Sequence, residues 1–100
     1  MVVVLCTAPN MDEAKTIAKI LVEEKRAACV SIIPHLTSIY SWQGEIVEDS
    51  EVQMVIKTTS LDKVENRIKE LHSYEVPELV VLEVSHGSSD YLKWLEESIN

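Results

Sequence analysis

Residues 30–58 hold two strand-like runs on either side of one tight turn, and no other stretch constrains the fold of this chain as strongly. The first run, V-S-I-I-P-H-L-T-S-I-Y-S-W over 30–42, is rich in β-branched and aromatic side chains, which suit a pleated, half-buried surface. The second, E-I-V-E-D-S-E-V-Q-M-V-I-K-T over 45–58, follows the turn Trp42-Gln43-Gly44-Glu45, where Gly44 supplies the positive φ that a hairpin turn needs. In this second arm Val52, Met54, Ile56 and Thr58 fall on one face. Glu51, Gln53 and Lys57 fall on the other, with Val55 the one apolar residue among them. A period of two predicts a strand with one buried face.

Length makes this hairpin informative. At roughly 3.3 Å per residue such an arm spans about 43 Å if unbroken, whereas a domain of this size has a radius of gyration of about 13 Å. The tip is therefore expected to reach beyond anything one copy packs against it. Yet the tip is apolar, with Ile39, Tyr40, Trp42, Ile46 and Val47 gathered there. A bare two-stranded ribbon is marginal in water, and an exposed apolar patch marks an interface. Another copy of the chain is expected to cover these five residues. The alternative is that Pro34 and the Glu48-Asp49-Ser50 cluster bend the arms back onto the chain's own core.

Around the hairpin, residues 2–8 form an apolar run ended by Ala8-Pro9, consistent with a strand buried on both faces. Asn10 is a good N-cap with Glu13 in the capping-box position, and Ala14, Ile17, Ala18 and Leu21 recur at helical spacing. Lys25 and Arg26 are expected to close that helix, where cations suit its dipole. Ser60 is expected to cap a second helix with Leu61, Val64, Ile68 and Leu71 inward and a Glu65–Lys69 pair outward. It should stop near His72-Ser73, ahead of Val76-Pro77. Leu79–Val84 reads as a strand, Gly87 breaks the chain, and a last short helix carries Tyr91, Leu92, Leu95 and Ile99 inward. The order βαββαβ plus a terminal helix predicts one α+β domain over 1–100, a ferredoxin-like sandwich with helices on one face of an antiparallel sheet.

Charge and hydropathy remove several classes of function. Nine basic against seventeen acidic residues give a net charge of −8, which repels phosphate backbones and disfavours nucleic acid. No stretch approaches the 18–20 apolar residues of a membrane span. The expectation is a soluble, cytoplasmic chain with no membrane partner. Cys6 and Cys29, both in apolar runs, read as reduced, buried thiols.

The segments A-A-C-V at 27–30, S-I-Y-S-W-Q-G-E at 38–45, E-V-Q-M-V-I-K-T at 51–58, H-S-Y-E-V-P-E at 72–78 and Y-L-K-W-L at 91–95 carry a family resemblance. In that order and spacing, over essentially the whole chain, they resemble the CutA divalent-cation-tolerance proteins. The resemblance implies a ferredoxin-like subunit in a homotrimer, similar in architecture to the PII-type signalling trimers, with copper or other divalent-metal binding and without an established catalytic activity. The copper ligands it implies are the cysteine of the first strand, matching Cys6 in V-L-C-T-A-P, and a histidine matching His72. Leu71 stands where the family pattern has a first histidine, and Ser73 where it has a proline. A third ligand is left to a neighbouring subunit.

Each candidate residue also has a reading without chemistry. Cys6 suits a small core hydrophobe as well as a ligand, and His72 suits the C-terminus of a helix. His35 and His86 read as surface residues. Tyr40 and Trp42 share one face of an arm, where aromatics anchor interfaces or stack a ligand. Lys57 is either solvated at the open edge or faces a cleft shared between chains. There it would meet a small anionic ligand with Glu51, Tyr91 and Trp94. The chain lacks the glycine-rich loop and the arginine that acylphosphatase-like chemistry on this fold requires. It also offers no nucleophile–base constellation, so it is not expected to be an enzyme.

Overall fold

The computed structural model describes residues 1–99, so of the domain expected over 1–100 only Asn100 lies outside the described residues. The elements follow in the order β1 (Val2–Ala8), α1 (Met11–Glu23), β2 (Cys29–Trp42), β3 (Glu45–Thr58), α2 (Leu61–Leu71), β4 (Val80–Glu83) and α3 (Ser89–Glu97). The four strands form one sheet in the order β2-β3-β1-β4, every neighbouring pair antiparallel. This is the α+β arrangement the element order predicts. β4 is shorter than expected, with only Val80–Glu83 paired.

One sheet face carries the core. Val4, Cys6 and Ala8 of β1 and Val52, Met54 and Ile56 of β3 pack against Ala14, Ile17 and Leu21 of α1 and Val64 and Ile68 of α2. Burying each of the larger side chains contributes about 1.5–3 kcal/mol, so these residues decide which face the helices cover. On the other face Val3 lies between Lys57 and Leu82, and Leu5 between Val55 and Val80. Val3 and Leu5 are only half-buried there. The expectation that β1 is buried on both faces is corrected, because α1 and α2 both lie on the opposite side.

Connections depart from the expected caps in instructive ways. Asn10 does cap α1, its Oδ1 accepting from the Glu13 backbone N–H at 2.8 Å. Glu13 does not close a capping box; its carboxylate reaches Ser73 instead. Lys25 and Arg26 lie beyond the helix they were expected to close. Lys25 takes φ +56, the left-handed turn that ends a helix, and Arg26 turns onto the Glu24 carboxylate at 2.7 Å. The Ser60 hydroxyl caps nothing in α2. Thr58 does the linking, accepting from the Ser60 N–H at 2.8 Å and donating to the Arg26 carbonyl at 2.7 Å.

The hairpin stays paired to its tip, where Trp42 faces Glu45. Gln43 (φ +50) and Gly44 (φ +81) both take positive φ, as the two-residue turn with matching twist requires. The ribbon does not fold back: the molecule measures 46 × 25 × 22 Å, and Trp42 and Ile46 at the tip are 59% and 76% exposed. Cross-strand partners put Tyr40, Val47 and Trp42 on one side of the ribbon and Ile39 and Ile46 on the other. The tip is thus apolar on both sides. One register step interrupts β2 between Ile33 and Leu36, where His35 next to Pro34 takes φ +60.

In α3 only Leu95 is fully buried; Tyr91, expected inward, is 39% exposed. The helix approaches the Gly87 backbone so closely that a Cβ there would lie 2.9 Å from Leu92 Cδ2. Cys6 is buried as expected, whereas Cys29 is half-buried at the start of the edge strand β2.

Candidate functional site

The fold gathers the candidate residues into two separate places. At the end of β1, the Cys6 thiol and the His72 ring meet at one backbone oxygen. Cys6 Sγ lies 3.7 Å and His72 Nε2 2.7 Å from the Thr7 carbonyl. A carbonyl only accepts, so Nε2 carries the ring proton and donates it there. Nδ1 accepts from the Tyr74 backbone N–H at 3.0 Å. His72 is therefore held as the neutral Nε2–H tautomer, with its side chain fully buried. Burial, and after it the charges of Glu78, Glu13 and Glu51, push the Cys6 thiol up to about 12. The thiol is protonated at neutral pH.

The most connected neighbour of this pair is one that no local sequence pattern announces. Glu13 Oε2 accepts from the Ser73 backbone N–H at 3.0 Å and from its hydroxyl at 2.9 Å, and it lies 3.5 Å from His72 Nδ1. Tyr74 continues the strap by donating its hydroxyl to Glu51 at 2.9 Å. Burial and that bond raise the Tyr74 phenol well above its ordinary range. Among the described residues no three His, Cys, Asp or Glu side chains cluster at metal-binding spacing. The donor types are those a soft ion takes, a thiol and an imidazole that both reach the Thr7 oxygen, with a carboxylate beside the second ring nitrogen.

The second place lies on the sheet face away from α1 and α2, where α3 meets β3. Lys57 Nζ donates to the Tyr91 hydroxyl at 3.0 Å and lies 5.3 Å from the centre of its ring. The Tyr91 and Trp94 rings are stacked, with centroids 5.8 Å apart and planes inclined by 27°. The bond to Tyr91, more than any other contact, raises the Lys57 ammonium above its ordinary range. Of the four residues expected in a shared cleft, the fold brings Lys57, Tyr91 and Trp94 together. Glu51 stands six residues back along β3, about 20 Å away at strand spacing, and belongs to Tyr74. The tip residues Ile39, Tyr40, Trp42, Ile46 and Val47 form a third, distal group, with the Tyr40 hydroxyl bonded to Asp49.

Comparison with known proteins agrees with this architecture. Residues 2–98 match the family model described as CutA1 divalent ion tolerance protein. The chain belongs to the CutA1 divalent ion tolerance family. A divalent-cation tolerance protein CutA from Thermus thermophilus is 54% identical over 98 residues, covering 96% of this chain and 95% of the relative. One from Escherichia coli is 46% identical over 100 residues, covering 98% and 89%. Among solved structures, the Thermus thermophilus Cut A1 protein superposes with a TM-score of 0.96 at 52% identity, each chain covered in full. A CutA from Archaeoglobus fulgidus, described as a periplasmic divalent cation tolerance protein, superposes with a TM-score of 0.94 at 33% identity, again over both whole chains. The CutA1 family is thus named for tolerance of divalent ions rather than for a reaction. Among the described residues of this member, no helix is long and apolar enough to cross a membrane.

Proposed function

We propose that this chain serves divalent-cation tolerance as a cytoplasmic, non-catalytic homotrimer that takes up copper or another divalent metal ion, with Cys6 and His72 as donors. The observation that carries this reading is the convergence of the Cys6 thiol and the His72 Nε2 on the Thr7 carbonyl, from positions 66 residues apart in sequence. Such an ion would supply a Lewis-acidic centre. The chain's part is to bring two donors to one point and to dispose of their protons. His72 would offer Nε2 as a lone pair only in the Nδ1–H form, which moves the ring proton from Nε2 to Nδ1, gives up the bond from the Tyr74 N–H, and turns Nδ1–H toward Glu13 Oε2 at 3.5 Å. The proton released on uptake comes from the Cys6 thiol, so binding strengthens as pH rises. A third donor is left to a neighbouring copy.

Titration calorimetry under reducing conditions tests the site. Cys6→Ser and His72→Gln are each expected to weaken copper uptake by about tenfold or more, with circular dichroism showing the fold retained. Unchanged uptake in both variants removes the site. A second reading, PII-like sensing of a small ligand or service as a rigid trimeric scaffold, is supported by the Lys57–Tyr91–Trp94 cluster, which the metal site does not use.

A further inference from the structure

We infer that the Lys57–Tyr91–Trp94 cluster is a binding site for a small ligand that joins a flat aromatic or heteroaromatic ring to an anionic group. This rests on the small-ligand reading and adds the chemical class. The chain has almost twice as many acidic as basic residues, and Arg26, Arg67 and Lys69 each sit against a glutamate. Among the described residues Lys57 makes no such pair, as several surface lysines do not, and what sets it apart is that its ammonium is held by a phenol. It also lies 5.3 Å from the centre of the Tyr91 ring. A cation kept clear of carboxylates in so acidic a chain is available to an incoming anion, and the acidic surroundings exclude a polyanion such as nucleic acid.

Tyr91 extends that charge outward. Its oxygen accepts from Lys57, which leaves its own O–H to donate, so ammonium and phenol form a short polarised chain ending in a donor. Next to it Trp94 is 49% exposed and stacked on Tyr91. An exposed indole face beside a charged donor accepts a planar ring by stacking while the ligand's anionic group reaches Tyr91 and Lys57. Cys29, the cross-strand partner of Lys57, is the small neighbour of the ammonium on β2. Neither half suffices: a bare anion leaves the indole bare, and a neutral ring leaves the ammonium without a counter-charge.

Fluorescence of Trp94, read in a Trp42→Phe background, measures this directly. Salicylate and adenosine monophosphate are the probes; salicylamide, adenosine and inorganic phosphate are the controls. Saturable quenching is expected for both probes, and each control should bind about tenfold more weakly or worse. Lys57→Met and Trp94→Leu should each cost the probes about tenfold, and Tyr91→Phe less than either. If phosphate alone binds as well as the probes through Lys57, a small-ligand site exists but its class is wrong. If no probe or control binds in a Lys57-dependent way, the site itself falls. An indole emission typical of a buried ring, insensitive to every probe, would overturn the proposal by showing that a second copy packs on Trp94. Copper uptake through Cys6 and His72 is independent of all these outcomes.

Discussion

His72 joins three separate parts of the chain through one imidazole. Its Nε2–H bonds the last turn of β1 at Thr7, its Nδ1 receives the Tyr74 amide, and its own amide ends α2 at Ile68. His72→Ala takes the stronger of two donors from the Thr7 carbonyl and leaves the part-buried Tyr74 N–H without its partner, at about 1–3 kcal/mol each. Metal-free protein carrying it should lose about 2–4 kcal/mol of unfolding free energy in a urea titration; a loss under about 0.5 kcal/mol would mean water replaces the ring. Sequence placed His72 correctly at a helix end, because Val76-Pro77 sets where that helix stops. Its burial was not legible, since its partners at Thr7 and Glu13 are about sixty residues away and no local pattern announces them. The same holds for Glu13, whose spacing from Asn10 imitates a capping box while its carboxylate serves Ser73.

The hairpin shows what periodicity reveals and what it hides. Alternation in β3 gave the buried face of Val52, Met54, Ile56 and Thr58 outright, and Gly44 located the turn. Gln43 carries the strain of that turn, because a side chain at φ +50 pays for the left-handed region that asparagine tolerates better. Gln43→Asn should therefore stabilise the protein by about 0.5–1 kcal/mol, seen as a higher urea midpoint at unchanged slope. A lowered midpoint would show that the Gln43 side chain makes a contact worth more than the turn. Less legible were the step in β2, where Pro34 signalled a bend but not the single-residue register shift, and α3. Tyr91 falls on the apolar stripe of that helix, yet Lys57 on a strand 34 residues earlier holds its hydroxyl at the surface.

For the whole molecule the decisive feature is a ribbon tip that is apolar on both sides. A single two-fold contact covers one side of such a tip, whereas a closed ring of three gives every copy a neighbour in each direction. Light scattering should report one species at three times the chain mass. Trp42→Asp should shift it to the monomer or unfold it, because a carboxylate is then buried at the contact; a wild-type monomer in dilute solution would refute the assembly. The interruption at Pro34 has a consequence for the border of the sheet. β2 borders the sheet with a fourteen-residue edge, and a straight edge of that length is a template on which chains add endlessly into fibres. Pro34 withholds a donor from that edge, and the extra residue beside it shifts the rhythm of the remaining ones. An adding strand can match the border on one side of the step or the other but not across it, which works against endless addition along this edge.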